Sequence, residues 1–273
     1  MTRCLFVSDL HGRKDRYRKL FARIAADPPA VVLLGGDLLP LDDPGFLLRT
    51  LAGGCRSLQR RLSDRYPLLL LIPGNDDPRL QEPALEAGER EGLWRYLHAR
   101  RFQLGERYFY GYACIPPSPF LLKDWERYDV SHHVDVGCVP PEEGWHSTGE
   151  AEAGTIQADL ERLAGSDELS GAVFLFHAPP YGGLLDVADI GRREVDHASV
   201  DPHVGSIAVR RFIEVRQPRL TLHGHVHESS RLSGNWRERL GRTHCFSAAW
   251  DGPELALVSF ALEELELAER LLL

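Results

Sequence analysis

Short apolar runs recur along the chain, and each gives way to a polar cluster where it ends. Three runs in the first third of the chain are four or five residues long, the length of buried strands: Arg3–Val7, Val31–Leu34 and Leu68–Ile72. Two segments between them, at about 14–26 and 46–62, carry apolar residues at helical spacing. Strands that alternate with helices predict a βαβ architecture, with its functional site at the carboxyl ends of the strands.

The same pattern continues through the rest of the chain, with one long interruption. We predict helices over Leu85–Arg100, Thr155–Leu163 and Ser206–Val215, and strands over Tyr108–Tyr112, Ala172–Phe176 and Arg219–Leu222. Thr243–Ser247 and Leu255–Ala261 are expected as antiparallel strands that finish a second sheet, and the last residues fit a strand or a helix. The irregular stretch at about 113–153 is rich in Pro, Trp and His, so we expect a lid or interface insertion in a single domain spanning 1–273.

Composition narrows the class of protein. The net charge of −8 disfavours binding to a nucleic-acid backbone, which needs a basic surface. No apolar run is long enough to span a bilayer, and no signal-peptide pattern is present. The five cysteines are scattered without a C-x-x-C pair, which indicates free thiols in a reducing compartment. We therefore expect a cytoplasmic protein that does not bind a membrane.

Residues of the metal-ligand type follow five of the predicted strands. They are, in chain order, Asp9, His11, Asp37, Asn75, His177, His225 and His227. A single Asp or His at a strand end is usually a cap or a surface residue, but seven in series predict a metal site. Imidazole, carboxylate and amide ligands without a thiolate suit Mn²⁺, Fe²⁺ or Zn²⁺ and do not decide among them.

In this order the motifs resemble those of the calcineurin-like metallophosphoesterase family, whose pattern is D-x-H, G-D, G-N-H-[DE], a lone H and G-H-x-H. The chain carries them as Asp9-x-His11, Gly36-Asp37, Gly74–Asp77, His177 and Gly224–His227. Stretches at 116–126, 177–180 and 203–206 look more like a bacterial and archaeal branch of predicted phosphoesterases than like the eukaryotic protein phosphatases. The resemblance implies an α/β fold of four layers, a two-sheet β-sandwich flanked by helices.

The resemblance also implies cofactors and a reaction. Two divalent metal ions would lie at one edge of the sandwich, with Asp37 bridging them. Asp9, His11 and His227 would hold the first ion, and Asn75, His177 and His225 the second. Two metals about 3.5–4 Å apart can hold a bridging hydroxide that attacks phosphorus. The expected activity is therefore metal-dependent hydrolysis of a phosphoester.

One position departs from the family pattern. The histidine of G-N-H-[DE], which contacts the phosphate and assists the leaving group, is Asp76 here, and Asp77 matches the acidic residue that orients that histidine. A carboxylate at this point should repel a doubly charged phosphomonoester more than a singly charged diester. We therefore expect a preference for phosphodiesters, with Asp76 and Asp77 as residues that modulate catalysis. The alternative is that Asp76 points away from the metals.

Other residues are open to two interpretations. Asn75 and His203 are candidate substrate contacts, and a histidine outside the metal set could supply the missing proton donor: His132, His133, His146, His197 or His203. A solvated loop histidine is the alternative for each. Trp125 and Phe120 fit a pocket wall or simple packing, His223 fits packing or support of the ligands, and Gly205-Ser206 fits an anion site or a helix N-cap.

Three functions compete at this point. The first is the dimetal phosphoesterase, acting on a small phosphoester for which a nucleotide or a cyclic nucleotide is one candidate. The second is a non-catalytic scaffold on the same fold, as in the retromer subunit that resembles this family and has lost the corresponding histidine. The third, a DNA nuclease, is disfavoured by the acidic charge. Homo-oligomer formation is left open.

Overall fold

A computed structural model describes residues 1–149, 154–189 and 201–273, together with the backbone of two short strands within 190–200. The strands are β1 (Arg3–Val7), β2 (Val31–Gly35), β3 (Leu68–Ile72), β4 (Arg95–Tyr96), β5 (Arg100–Leu104), β6 (Arg107–Tyr112), β7 (Val173–Phe176), β8 (Glu194–Val195), β9 (Ala198–Ser199), β10 (Leu220–His223), β11 (Arg237–Leu240), β12 (Thr243–Ser247), β13 (Ala256–Ala261) and β14 (Glu264–Leu272). The α-helices are α1 (Lys14–Ala26), α2 (Gly53–Leu62), α3 (Glu82–Arg90), α4 (Ile156–Ala164), α5 (Ile207–Arg216) and α6 (Ser229–Ser233).

Two six-stranded sheets form the centre of the molecule. The first has the order β14-β13-β1-β2-β3-β4, in which β1 to β4 run parallel and β13 and β14 are antiparallel. The second has the order β11-β12-β10-β7-β6-β5, with a parallel centre from β12 to β6. Parallel strands present their carboxyl ends at one edge, so each sheet contributes loops to a common site.

Side-chain alternation along β1 explains why the sheets stack. Cys4 and Phe6 pack into the core between the two sheets, whereas Leu5 and Val7 pack into a second core beneath α1 and α2. On the far side, α4 and α5 cover the second sheet through residues such as Leu160. The central strands of each sheet are thus buried on both faces, which accounts for the continuous apolar runs in the sequence. The α/β four-layer sandwich predicted from the sequence is confirmed.

Several predicted elements are confirmed in type, one predicted helix extends too far, and another begins with a different type of helix. The predicted helix Leu85–Arg100 ends at Arg90, because Gly92 adopts a left-handed φ of +73° and the chain then enters β4 and β5. The predicted helix at 46–62 begins with a π-helical segment, Leu47–Ala52, before α2. Thr155 and Ser206 lie just outside their helices and cap them, each accepting a hydrogen bond from a backbone amide.

The C-terminal strands divide between the two sheets. The expectation that both finish one sheet is wrong, because β12 pairs parallel with β10 whereas β13 and β14 extend the first sheet next to β1. The last residues form a strand, β14. β5 and β11 were not predicted, because their sequences, RRFQL and RERL, contain few apolar residues. Local patterning identifies a strand but does not say which sheet it joins.

The outer edge of β14 is covered by a side chain from the other sheet. Arg237 of β11 donates hydrogen bonds to the backbone carbonyls of Glu266 and Ala268, each at 3.2 Å. Its neighbour Arg239 pairs with the Glu266 carboxylate at 3.0 Å. Both carbonyls therefore accept hydrogen bonds from outside the pairing of β14 with β13.

Across the described residues, no helix is both long enough and apolar enough to cross a membrane.

Candidate metal centre

Five loops at strand ends meet where the two sheets come together. Asp9, Asp37 and Asn75 follow β1, β2 and β3 of the first sheet. His177 follows β7, and His225 and His227 follow β10, of the second sheet. The structure therefore brings together residues that are more than 200 positions apart in the chain, as the resemblance implied.

Backbone hydrogen bonds join these loops to one another. The amide of Asp9 donates to the carbonyl of Gly36 at 3.0 Å, and that of His11 donates to the carbonyl of Asp37 at 2.7 Å. The amide of His225 donates to Asp9 Oδ1 at 3.0 Å, which ties the second sheet to the first. Each loop is thus held by its neighbour rather than by solvent.

Backbone strain is concentrated in the same loops. Asp9, His11, Asp37 and His225 have left-handed φ values of 57°, 45°, 51° and 72°. Residues other than glycine rarely adopt this conformation, which costs roughly 1–3 kcal/mol at each position. Four strained residues among seven candidate ligands indicate that the fold holds their side chains at a definite site.

The first group of side chains converges on one point. One ligand atom from each of Asp9, His11, Asp37 and His227 lies within 4.8 Å of all the others. The Nε2 atoms of His11 and His227 are 3.0 Å apart, and His227 Nε2 is 3.3 Å from Asp9 Oδ1. His11 Nε2 lies 3.7 Å from Asp37 Oδ2. Two imidazole nitrogens and two carboxylates at this spacing form a candidate cation site.

The second group lies on the other side of Asp37. His177 Nε2 is 3.3 Å from Asp37 Oδ2 and 3.0 Å from Asn75 Oδ1. The ring of His225 packs 5.3 Å from that of His177, measured between centroids. The other nitrogen of His177 is 2.8 Å from the carbonyl of Gly35, so the ring is oriented with Nε2 toward Asp37. Asp37 therefore lies between the two groups, where a bridging ligand is expected.

Burial and charge oppose each other at this site. Burial alone would raise the pKa values of the two carboxyls, but the facing histidines lower the pKa of Asp37 to about 2 and that of Asp9 further still. In return, these carboxylates raise the pKa of His177 to about 10 and that of His227 to about 9, although burial opposes both shifts. Burial and the charge of His177 lower the pKa of His225 to about 3. Without a metal, protons supply the positive charge that the carboxylates require.

Two observations show that the residues fit a metal. Asp9 Oδ2 is buried and accepts no hydrogen bond within the described residues, which is costly for a carboxylate oxygen unless a cation meets it. A Cβ at Gly224 would lie 2.0 Å from Ser8 Oγ and 2.8 Å from Asp9 Oδ2, so only glycine lets the histidine loop approach Asp9 this closely. The donor set of imidazole, carboxylate and amide suits a divalent transition metal.

Asp76 faces this site. Its Oδ2 is 3.4 Å from His11 Nδ1, and its Oδ1 accepts a hydrogen bond from Asn75 Nδ2 at 2.9 Å. Asp76 therefore contacts two of the candidate ligands from the side opposite their expected ligating atoms. Burial and the charge of Asp37 raise the pKa of its carboxyl.

The carboxylate of Asp77 instead accepts hydrogen bonds from the backbone of two ligand loops. Its carboxylate accepts hydrogen bonds from the amides of Leu38, Leu39 and Gly74 at 2.7–3.0 Å, and it thereby joins the loops after β2 and β3. Burial and the charge of Asp37 raise its pKa to about 7.

Two further residues support the ligand loops. Arg16 of α1 is buried and donates to the carbonyls of Asp9 and Gly252, each at 2.6 Å. Trp125 is buried, and its indole donates to the carbonyl of Asp77 at 2.6 Å, which ties the insertion to the ligand loop. Arg16 belongs to no motif, and its one signal in the sequence is a charge next to the apolar face of α1. Trp125 lies in the stretch at 116–126, and the structure supports its interpretation as a packing residue.

Asp186 orients His203. The buried carboxylate lies 2.8 Å from Nδ1 and also accepts hydrogen bonds from the amides of Gly182, Gly183 and Gly205.

The N-terminus of α5, considered above as an anion site, is occupied by a carboxylate of the chain. Ser206 is the N-cap of this helix, and Asp129 accepts hydrogen bonds from the amides of Ile207 and Ala208.

The remaining candidates lie in structural contacts or in solvent. His223 is buried between the carbonyl of Ala178 and the hydroxyl of Thr221. His146 contacts the carbonyl of Pro141, His132 packs on Tyr128, and His133 is exposed. Phe120 is 52% exposed, whereas Trp125 packs inward. His197 lies outside the described residues.

Comparisons with known proteins agree with this geometry. The sequence model of the calcineurin-like phosphoesterase family matches residues 2–229. Comparison with curated protein sequences gives no match. Among solved structures, the protein TT1561 of Thermus thermophilus is similar with a TM-score of 0.60 at 20% identity, over 99% of this chain and 98% of that one. A dimetal phosphatase from Danio rerio is similar with a TM-score of 0.51 at 12% identity, over 94% and 91%.

A third structure, of a putative 5′-nucleotidase from Staphylococcus aureus, has a TM-score of 0.50 at 14% identity and matches 95% of this chain but 50% of that one. At these identities the structural similarities show the fold alone. The family model covers most of the chain and includes the motif residues that meet at the sheet edge. The chain belongs to the calcineurin-like phosphoesterase family.

Proposed function

We propose that the protein is a phosphodiesterase that depends on two divalent metal ions, drawn from Mn²⁺, Fe²⁺ and Zn²⁺. The supporting observation is the convergence of Asp9, His11, Asp37 and His227 on one point, with His177 and Asn75 on the far side of Asp37. When bound, two such ions activate water and polarise the phosphoryl oxygens of a substrate. A cytoplasmic location and a single-domain organisation stay predictions from the sequence.

Different residues of the chain would hold each of the two ions. Asp9, His11 and His227 would hold the first ion and Asn75, His177 and His225 the second, with Asp37 shared between them. Two doubly charged ions against the carboxylates of Asp9 and Asp37 leave net positive charge, which attracts a phosphate anion into an acidic protein. A small phosphoester such as a nucleotide or a cyclic nucleotide is the proposed substrate class.

Asp76 supplies the preference for diesters. Its side chain is 36% exposed and faces His11, so its charge acts on a bound phosphate. At roughly 6 Å, with an effective dielectric constant between that of a protein surface and that of water, one extra substrate charge costs about 1–3 kcal/mol. That corresponds to about a 5- to 150-fold lower ratio of monoester to diester hydrolysis than a neutral residue would give.

His203 is the proposed substrate contact outside the metal set, together with Asn75. The buried carboxylate of Asp186 fixes the His203 ring at Nδ1, and the imidazole remains 28% exposed. An oriented, solvent-accessible imidazole can donate a hydrogen bond to an oxygen of the substrate.

The test is Mn²⁺-dependent hydrolysis of bis-p-nitrophenyl phosphate beside p-nitrophenyl phosphate. We expect diester turnover in the wild type, no turnover in Asp37→Ala, and a higher monoester-to-diester ratio in Asp76→His. An unchanged ratio in Asp76→His would refute the charge argument and leave the metal mechanism intact. If metals bind and neither substrate reacts, the scaffold function replaces the enzyme.

A further inference from the structure

One carboxylate contacts a candidate ligand from each metal position. Asp76 Oδ1 accepts a hydrogen bond from Asn75 Nδ2 at 2.9 Å, while its Oδ2 lies 3.4 Å from His11 Nδ1. The amide of Asp76 donates to Asp37 Oδ1 at 2.8 Å, which fixes the residue between the two. We propose that Asp76 is a positioning residue that orients both His11 and Asn75 for metal binding. The proposal rests on the ligand assignment made under the proposed function.

For His11 the effect is on the tautomer. A neutral imidazole carries one N–H, and a carboxylate 3.4 Å from Nδ1 favours the tautomer with the hydrogen on that atom. The lone pair is then on Nε2, the atom that lies 3.0 Å from His227 Nε2 at the centre of the first group. Without Asp76, the opposite tautomer would direct an N–H at the metal position.

For Asn75 the effect is on which end of the amide faces inward. The NH₂ group donates to Asp76, so the oxygen lies 3.0 Å from His177 Nε2 on the inner side. Only the oxygen of an amide can bind a metal, and a rotated side chain would present hydrogens instead. Asp76 therefore selects the ligating atom in each half of the site.

This double role needs a carboxylate. Two oxygens can accept from two donors at once, whereas a neutral imidazole has one acceptor nitrogen and an amide has one acceptor oxygen. A histidine at position 76, as in the family pattern, could therefore not orient both His11 and Asn75 in this way. A positioning carboxylate of this kind typically raises metal affinity by about 10- to 100-fold.

The experiment measures metal binding without substrate. Zn²⁺ is titrated into metal-free protein in competition with a chromophoric chelator, for the wild type, Asp76→Ala, Asp76→Asn and Asp15→Ala. Asp15 is the matched control, because it lies on the helix that follows His11 and its side chain is 38% exposed against 36% for Asp76. We expect a loss of about 10- to 100-fold in Asp76→Ala, a smaller loss in Asp76→Asn and no loss in Asp15→Ala. Urea unfolding in EDTA confirms that each variant is folded.

A second readout follows the ring itself. In the Zn²⁺-loaded wild type, the Nδ1–H signal of His11 should be slow to exchange, and it should exchange faster in Asp76→Ala; its assignment comes from its absence in His11→Asn. Unchanged affinity and exchange in folded Asp76→Ala would overturn the proposal. The ligand assignment fails separately, if Asp37→Ala binds Zn²⁺ as tightly as the wild type.

Discussion

His98 should make the protein less stable in mild acid. Its ring lies between Tyr112 and Trp125, with centroids 5.7 and 4.8 Å away, and its Nδ1 accepts a hydrogen bond from the amide of Ala113 at 3.0 Å. Burial lowers its pKa to about 3, and three nearby arginines contribute. Protonation would both charge a half-buried ring and remove the acceptor that Ala113 uses.

The sign and size of the effect follow from linkage. In the unfolded chain the histidine has a pKa of about 6.5, so below that pH only the unfolded state takes up the proton. Stability is therefore retained above pH 6.5 and falls as the pH drops toward the folded-state value. At pH 5 the loss from this group is up to about 2 kcal/mol, and water at the partly accessible ring reduces it to about 1–2 kcal/mol.

The assay compares the wild type with His98→Asn by urea unfolding in EDTA at about pH 7.5 and about pH 5, on either side of the ordinary histidine pKa. Asparagine keeps an acceptor near the position of Nδ1 but does not titrate. Chelation removes the metal from both proteins, and all other titrating groups cancel in the difference between them. The wild type should lose about 1–2 kcal/mol more than His98→Asn on going to the lower pH. An equal loss in both proteins would refute the argument.

Two further predictions concern the insertion and the ligand loops. Lys123 and Glu126 form a fully buried ion pair at 2.6 Å, so Lys123→Met should lower the free energy of unfolding by about 3–5 kcal/mol, measured with urea. Adding Glu126→Gln should recover part of this loss, because it removes the unpaired buried charge. No recovery would show that packing, not charge, determines the effect. Gly224→Ala should weaken Zn²⁺ binding in the chelator competition, because its Cβ would lie 2.0 Å from Ser8 Oγ beside Asp9, and unchanged affinity would show that the loop can shift.

The candidate site could be predicted from the sequence more fully than the sheets. The strands that precede Asp9, Asp37 and His177 are buried on both faces, so they appear as apolar runs with a polar end, and parallel pairing brings those ends together. The chain order of the ligands then carried the resemblance. Asp76, by contrast, could be identified as a departure but not placed, because its role depends on contacts with Asn75 and His11 across the loop.

The errors have physical causes as well. The helix predicted to reach Arg100 stops because Gly92 adopts a conformation that no periodicity reveals. β5 and β11 lie at sheet edges, where charged residues are favourable and the apolar signal is lost. The buried pair of Lys123 and Glu126 gave no signal because charged residues are normally assigned to the surface.

The hydrogen bonds that Arg237 donates to β14 affect how copies of this chain can associate. A nine-residue edge strand is a template for strand addition, which leads to open-ended fibres or to continuous sheets across a dimer. Here the carbonyls of Glu266 and Ala268 are already engaged, so an incoming strand would have to displace a guanidinium from two hydrogen bonds. Strand addition along this part of the edge is therefore disfavoured.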